Sequence, residues 1–498
     1  ETGRYAWLLA GAATLGVAFD VKLLESVVAV PGLAVLAYLG LPGSRRRRLL
    51  QMTGAGAVYV AVALAWLTAT LLVPAHDRPY AVGSTNGSAW NAAFVFNGID
   101  RLGGKSPEPQ FTVYQPGHRY PEATQSERDH IPIVPPSVTR LLARIGPLSG
   151  ERLGLELLVA LLLGVPALIF TLLADRRAAA ERGELHPGEA GHASPSRSAD
   201  SPFPHPDPSG PRMRRAMAVG VTLWTLTGIV LFSYMTRLHP RYVEGFVPAV
   251  TALFGIGVAW AGSTDRGRAA KRAGSADSRA RLVALVVALA ATVYYVQRLL
   301  YGRPGPWWIT LAAAVGALTL AILVRTGPDD EGAQRTRWLA GATIALTLVA
   351  VLALGLSADV TAIDNDVTDA GYVGALPIEE QHLVSAYLRA HQGGAHYELA
   401  AESATQIGSL IVQDARPVLI LTTYGGRLFT SVAELKRSIA KQEVRYAFLN
   451  SSCPKRVSPV NAACSEPAMW VRAHGTDVSK DAGLSRGGLL WLLPDAKP

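Results

Sequence analysis

Nine apolar blocks run along this chain, and most of them have the length that a membrane-spanning helix needs, about 20 residues. The blocks are 5–19, 23–41, 49–73, 154–173, 216–236, 246–262, 281–300, 306–325 and 338–357. The first block is short and the second follows it after only a few residues, so these two are either a tight hairpin or partial helices. The pattern predicts an α-helical polytopic membrane protein with about nine membrane segments.

Composition agrees with a membrane protein and argues against a soluble one. Only 17% of the 498 residues are charged, against about 25% in soluble domains. The net charge of +9 comes mostly from short basic clusters that flank the apolar blocks, as in membrane loops. No basic–aromatic module accompanies these clusters, so the expected contacts are with membrane lipids and not with nucleic acid.

The distribution of basic residues predicts the orientation, because Arg and Lys of short loops stay in the cytoplasm. Alternate short loops carry thirteen and four basic residues, so the richer set is placed inside. The thirteen are Arg45, Arg46, Arg47, Arg48, Arg266, Arg268, Lys271, Arg272, Arg279, Arg281, Arg325, Arg335 and Arg337. The large loop 74–150, the sequence HPRYVEGFVPAV at 239–250 and the tail are then predicted outside, in a multi-pass protein of the cell membrane.

The predicted domain organisation has four parts. These are membrane helices 1–173 with the large extracytoplasmic loop 74–150, a disordered cytoplasmic linker 174–215, membrane helices 216–357 and an extracytoplasmic domain 358–498. The linker is rich in Pro, Ser, His and charge, and it cannot bury enough apolar surface to fold. Its histidines lack the compact spacing of a zinc site, so no metal is predicted there.

The tail alternates helical and strand-like patterns, which predicts a small α/β domain. Helical patterns occupy PIEEQHLVSAYLRAH, ATQIGSLIVQDA, SVAELKRSIAKQ and 465–475, and strand-like runs occupy RPVLILTTY, VRYAFLN and GLLWLLP. Ser431 with Glu434 three residues later predicts a capping box. Cys453 and Cys464 lie in a loop of this domain, where an oxidising compartment would allow a disulfide; two free thiols are the alternative.

Two features are absent from the sequence, a nucleotide-binding motif and an N-terminal start signal. It has no Walker A motif and no Gly-rich dinucleotide motif after a strand, so no nucleotide is expected. It begins Glu-Thr-Gly-Arg, without an initiator Met or a signal peptide. We therefore expect a fragment that starts inside a larger membrane protein.

The sequence HPRYVEGFVPAV crowds His239, Arg241, Tyr242 and Glu244 directly before an apolar block. These cations lie on the predicted outer side, against the positive-inside trend, so a lipid-linked phosphate could hold them there. The alternative is that the arginines only reach lipid headgroups. Lys22, between the first two blocks, raises the same question, and Asp20 or Glu25 could be its partner.

The large loop mixes aromatic, amide and cationic side chains, including Asn97 and Arg101. Amide and guanidinium donors bind sugars and phosphates. Packing of the loop on the membrane interface would also recruit Trp and Tyr. The residues alone leave both interpretations open.

Four stretches occur in one order: FDVKLLESVVAVPGLAVLAYL, DRPYAVGSTNGSAWNAAFVFNGIDRL, GPLSGERLGLELLVALLL and HPRYVEGFVPAVTALFGIG. This order resembles the glycosyltransferase family 39 membrane enzymes of actinobacteria and firmicutes. More narrowly, it resembles the mannosyltransferase-like subgroup that carries an added C-terminal extracytoplasmic domain. In the tail, YELAAESATQIGSLIVQDARPVLILTTYGG and EVRYAFL carry the same resemblance.

The resemblance implies a GT-C bundle with an extracytoplasmic pocket, in which a sugar leaves a polyprenyl-phosphate carrier with inversion of its anomeric centre. It implies that His239, Arg241 and Tyr242 line this pocket and that Asn97 and Arg101 belong to the loop that closes it. Lys22 matches a family lysine between two membrane segments. A divalent metal is variable across the family.

Two departures from the family pattern are visible. Phe96-Asn97-Gly98 stands where the family has Tyr-Asn-Gly, so one hydroxyl is absent. The first external loop, which should hold the catalytic carboxylate, is expected upstream of Glu1, so the catalytic residue of this chain is unknown and the fragment could be inactive alone.

The function expected from sequence is that of an inverting, mannosyltransferase-like membrane hexosyltransferase. Its donor would be a polyprenyl-phosphate sugar, and its acceptor a protein, a lipid or a wall polymer. The alternatives are a flippase or transporter of a lipid-linked intermediate and a non-catalytic scaffold of the cell envelope. A transporter usually shows internal repeats, and none is apparent here.

Overall fold

The computed structural model describes most of the helices and most of the tail. The described residues are 5–74, 78, 81, 84, 86–99, 102, 136–142, 153–184, 210–235, 238, 240–263, 268–300, 305–326, 333–364, 377–422, 428–449, 453 and 462–494. The chain folds into two compact units. The membrane unit comprises Glu1–Ala63, Pro136–Tyr234 and Leu238–Val367, and the second unit comprises Leu64–Pro135, Met235–Arg237 and Thr368–Pro498.

Long apolar helices dominate the first part of the chain. They are α1 (Tyr5–Lys22), α2 (Val30–Gly40), α3 (Arg45–Leu71), α4 (Leu155–Val159), α5 (Val165–Glu184), α6 (Pro211–Tyr234), α7 (Val247–Gly262), α8 (Arg268–Leu300), α9 (Trp307–Thr326) and α10 (Ala333–Asp364). Among the described residues, eight helices are long and apolar enough to cross a membrane. The polytopic helical class predicted from the sequence is therefore confirmed.

The first two apolar blocks form a helical hairpin. Helices α1 and α2 are joined by a 3₁₀ turn, Leu23–Ala29, which we call the hairpin turn. The Tyr5 hydroxyl lies against Gly54 of α3, and Gly16 lies against Val62 of the same helix, so α1 runs parallel to α3. Because only four residues join α2 to α3, Tyr5 can reach Gly54 only if the chain reverses between α1 and α2.

Helix α2 packs closely against α6 in the antiparallel direction. Gly32 of α2 faces Gly220 and Trp224 of α6, whereas Gly40 faces Met213 near the beginning of α6. A methyl group added at Gly32 would lie 2.5 Å from the Cβ of Trp224. The small residue therefore allows the two backbones to approach closely, as in other membrane helix pairs.

The predicted linker 174–215 lies between helices α5 and α6. Helices α4 and α5 are joined by a π-helical segment, Ala160–Gly164, and α5 continues to Glu184. Helix α6 begins at Pro211, so helices extend into the segment predicted as a linker from both sides. The run of Arg, Ala and Glu after Asp175 favours helix although it is too polar for a membrane. Most of the remaining linker lies outside the described residues.

The tail forms an α/β domain with a five-stranded mixed sheet. Its strands are β1 (Ala400–Ser403), β2 (Leu419–Thr422), β3 (Tyr446–Phe448), β4 (Thr476–Asp477) and β5 (Leu490–Leu492). Their order is β2-β1-β3-β5-β4, with β1 parallel to β2 and β3, and with β5 antiparallel to β3 and β4. The α/β class predicted for the tail is confirmed.

Helices cover both faces of this sheet. They are α11 (Ile378–His391), α12 (Ala404–Asp414), α13 (Val432–Ala440) and α14 (Glu466–His474). Leu388 and Ile407 pack with Ala401 on one face, in a core that contains α11 and α12. Leu435 and Val471 pack with Ala400 on the other face. The alternation of Ala400 and Ala401 between two cores is the period-2 pattern of a buried strand.

The element predictions for the tail are largely correct, with two strands omitted, β1 and the two-residue β4. All four predicted helices are present, and Ser431 and Glu434 form the predicted capping box at the start of α13. The sequence patterns do not predict strand β1, although it lies between β2 and β3 at the centre of the parallel part of the sheet. Its sequence, AAES, has no β-branched or aromatic residue, so propensity does not reveal it.

Candidate functional site

Lys22 lies at the end of α1 and contacts two carboxylates. Its Nζ is 3.0 Å from Oε2 of Glu25 and 2.6 Å from Oε2 of Glu244. Glu25 is one of the two partners predicted for Lys22, whereas Glu244 lies 222 residues away in the chain. The hairpin turn therefore meets the sequence HPRYVEG, and the structure brings together two stretches that the sequence had singled out separately. We call these three side chains the Lys22 site.

Tight backbone packing places the two stretches together. Residues Pro240–Phe246 form a 3₁₀ helix, which we call the corner helix, directly before α7. The Trp224 indole Nε1 of α6 donates a hydrogen bond of 3.1 Å to the carbonyl oxygen of Gly245. A Cβ atom at Gly245 would lie 3.0 Å from the carbonyl oxygen of Glu25. The corner helix thus lies directly on the hairpin turn.

The corner helix ends against the side of α6, before the last turns of that helix. Gly228 of α6 lies against the ring of Phe246, six residues before Tyr234, where α6 ends. Six residues of α-helix rise about 9 Å. Phe246, the last residue of the corner helix, therefore lies about 9 Å before the end of α6.

The basic end of the membrane unit lies at the other end of α2 and α6. There Arg212 Nε donates 2.9 Å to the carbonyl oxygen of Leu39, and Arg214 pairs with Asp175 at 2.6 Å. Because α2 and α6 are antiparallel neighbours, these contacts mark the end of α6 that is farthest from the corner helix. Lys22 and the corner helix therefore share one side of the membrane unit.

The backbone at Leu23 is strained. This residue follows Lys22 and has a φ of 49°, in the left-handed region that a bulky side chain rarely adopts. Such conformations cost of the order of 1–3 kcal/mol and cluster at functional sites. The strain fixes the direction in which the chain leaves Lys22.

Several other predicted site residues are placed only in part. Tyr242 is half-buried in the corner helix, and the Arg241 backbone belongs to the same helix, whereas the Arg241 side chain, His239 and Arg101 lie outside the described residues. The assignment of these three side chains to a substrate site therefore stays a prediction.

Asn97 belongs to a π-helix within the large loop, Asn91–Ile99. Its Nδ2 donates 2.8 Å to the carbonyl oxygen of Ala92, so the amide group stabilises its own helix. The Asn91 backbone N–H donates to Ser88 Oγ at the start of this helix. The predicted sugar-binding amide thus has a structural contact of its own, in the second unit.

Arg140 is a buried cation that sequence reasoning missed. Its side chain is 0% exposed, and Nη1 donates 3.3 Å to the carbonyl oxygen of Phe232 near the end of α6. The Ser137 backbone N–H donates to Ser233 in the same turn. Burial lowers the pKa of Arg140 to about 10. No spacing in the sequence links Arg140 to α6, so only the fold reveals this contact.

Two buried carboxyl groups face each other in the α/β domain. Glu398 is 1% exposed, and neither of its carboxyl oxygens accepts a hydrogen bond from any described donor. Asp414 accepts hydrogen bonds from Ser385, at 3.0 Å, and from Arg389. Burial, together with the neighbouring Asp414, raises the pKa of Glu398 to about 8. Glu398 therefore holds a proton at neutral pH, because burial and the neighbouring Asp414 both disfavour its ionised form.

This pair predicts a pH-dependent stability. A group whose pKa is raised in the folded state contributes stability below its unfolded pKa, about 4.5, and that stability is lost as the pH rises through about 8. The Glu398→Gln variant keeps a hydrogen-bond donor without a titrating proton. We expect its domain to be more stable than wild type at pH 9 and to match it at pH 4, in hydrogen exchange of β1 in the full chain. Parallel pH profiles for the two proteins would contradict this.

Cys453 and Cys464 form a disulfide in the loop before α14. Among the described residues, no group of three His, Cys, Asp or Glu side chains is arranged to hold a metal ion.

Comparison with known proteins connects the tail to a family. Residues 384–474 match the family described as "Putative mannosyltransferase YkcB-like, C-terminal". Over 104 residues, 21% of this chain, the sequence is 32% identical to Putative mannosyltransferase YkcB of Bacillus subtilis (strain 168). Over 106 residues it is 24% identical to Putative mannosyltransferase YycA of the same organism. No solved structure matches the chain.

These similarities have a limited extent. The matched segments span 14% of YkcB and 16% of YycA, so the chain covers less than a fifth of each of these relatives.

Proposed function

We propose that this chain acts as a membrane glycosyltransferase that moves a mannose-like sugar from a polyprenyl-phosphate carrier to an extracytoplasmic acceptor. The observation that carries the proposal is the Lys22 site, where a cation at the end of one apolar helix contacts Glu244 of the HPRYVEG sequence. Ionisable groups within membrane segments are usually functional. The mannosyltransferase names of the relatives indicate the sugar.

The proposed orientation follows from the distribution of basic residues and from the number of candidate membrane spans. The basic end, with Arg45–Arg48 and Arg214, would face the cytoplasm by the positive-inside rule. The Lys22 site would then face outward. Six candidate spans separate the large loop 74–150 from residue 358. Because six is an even number, the α/β domain would lie on the same side as that loop, where a disulfide is stable.

A sugar that leaves a phosphate needs its developing negative charge stabilised by fixed cations. Lys22 supplies one such cation, held by a strained turn. Arg241 and His239, from the corner helix and the residue before it, would supply the others. Isoprenoid chains of the carrier would lie along the apolar helices, and the phosphate would reach the Lys22 site from the membrane.

The acceptor hydroxyl must be activated from the side opposite to the phosphate in an inverting displacement. Glu25 and Glu244 bond to the cation that would hold the phosphate, so they are poorly placed for this role. Neither of these two carboxylates is therefore assigned as the base. The α/β domain would then select the acceptor.

Arg241 provides the first test of this function. In vesicles that carry the complete gene product, Arg241→Ala should reduce transfer of mannose from polyprenyl-phosphate mannose by about 10²–10³-fold, as expected for a lost charge-stabilising donor. Expression and helix content should not change. The control is Arg298→Ala, which removes an exposed arginine at the end of α8. Equal transfer by the two variants would mean that Arg241 only contacts lipid headgroups. Movement of intact polyprenyl-phosphate mannose across the membrane without sugar transfer would favour a flippase.

A further inference from the structure

In the described part of the chain, the ammonium group of Lys22 is already occupied by two carboxylates. Two carboxylates, Glu25 and Glu244, contact one ammonium, at 3.0 and 2.6 Å. A phosphate brought to Lys22 would meet both carboxylates and be repelled by them. An anionic ligand that binds Lys22 must therefore compete with these carboxylates for its ammonium group.

The two carboxylates differ in how firmly they are held. Glu25 lies three residues after Lys22 on the same turn, and its side chain is 15% exposed. Glu244 comes from the corner helix, and its side chain is 63% exposed. An exposed ion pair contributes little stability, so Glu244 can leave Lys22 at little cost. Glu25 is less exposed and belongs to the same turn as Lys22, so it is the more firmly held of the two carboxylates.

We infer that Glu244 is an exchangeable counter-ion of Lys22, which the phosphate of a lipid-linked ligand displaces when it binds. The inference rests on the proposed function, because it takes a polyprenyl phosphate as the ligand. Before binding, the carboxylate of Glu244 neutralises the charge of the Lys22 ammonium group. After binding, the phosphate takes this position, and the carboxylate turns to solvent. Glu244 is in this account a positioning residue that sets the affinity of the site for anions.

The predicted signature is a gain of affinity. Glu244→Gln keeps the size of the side chain and removes the competing charge, so a polyprenyl monophosphate should bind about two- to fivefold more tightly, the size of effect expected for an exposed ion pair. Lys22→Ala should weaken binding strongly. In the Lys22→Ala background the Glu244→Gln change should have no effect, since there is no longer a cation for which to compete. A merely structural role for Glu244 would not produce this dependence on Lys22.

The test is a titration of polyprenyl monophosphate into the full chain in nanodiscs of neutral lipid, with native mass spectrometry as readout. Asp359→Asn is the charge-matched control, because it removes an exposed acid of α10 that is not part of the Lys22 site. The inference is supported if Glu244→Gln tightens binding, Asp359→Asn does not, and the gain is absent when Lys22→Ala is combined with Glu244→Gln. If binding depends on Lys22 but Glu244→Gln leaves it unchanged or weakens it, Glu244 is not an exchangeable counter-ion. The phosphate site at Lys22 would still stand. Wild-type binding that is absent, or independent of Lys22, overturns both.

Discussion

Replacing Lys22 with alanine is expected to lower the affinity of the protein for a polyprenyl monophosphate by about 10- to 150-fold. The estimate takes a hydrogen bond to a charged group as about 1.5–3 kcal/mol. The loss should appear as a lower donor affinity and a higher KM for the sugar donor.

Two controls separate binding from a general loss of basic charge or of fold. Lys22→Arg keeps the charge and should retain part of the affinity. Arg47→Ala removes an exposed cation at the start of α3, which lies at the basic end, and it should bind the ligand like wild type. A Lys22→Ala variant that is folded and binds normally would remove the phosphate role from this residue.

Replacing Gly228 with valine is expected to displace the corner helix and to destabilise the membrane unit. A Cβ atom at this position would lie 2.3 Å from the ring of Phe246, which is itself fully buried. Overpacking of this kind costs about 1–3 kcal/mol. Because Phe246 ends the corner helix that carries Glu244, polyprenyl phosphate binding should fall together with the thermal unfolding temperature.

The control for this substitution lies on α7. Gly255→Ala adds a methyl group that meets no atom within 4 Å, and it should leave the unfolding temperature unchanged. A second change, Phe246→Ala, should partly rescue Gly228→Val, because it removes the ring that the new side chain strikes. Wild-type stability of Gly228→Val in detergent would show that α6 and the corner helix do not pack as described.

The fold could be predicted well from sequence because its main signals are strong. Apolar blocks of about 20 residues predict membrane helices with little competition from other structures. The capping box at Ser431 is a local motif that the sequence displays directly. Strand β1 escapes prediction because its burial, not its Ala-rich sequence, makes it a strand. The end of α5 escapes prediction because its polar continuation carries helix-forming residues without a membrane signature.

The candidate site was predictable only in its parts. An ionisable residue between apolar blocks marked Lys22, and charged residues before an apolar block marked the HPRYVEG sequence. Nothing in the sequence pairs Lys22 with Glu244, because their contact depends on how α2 and α7 both pack on α6. Asn97 shows the opposite case, since its residue type predicted a ligand contact and its amide bonds to its own helix.

Photo-crosslinking of a polyprenyl monophosphate that carries a diazirine next to its phosphate tests the central claim most directly. The probe would be added to membranes that contain the complete gene product, and its adducts would be mapped by mass spectrometry. The account predicts adducts in the hairpin turn 23–29 and in the corner helix 240–246, which Lys22→Ala removes. Adducts confined to the basic end, around 41–48 and 211–215, would contradict the account.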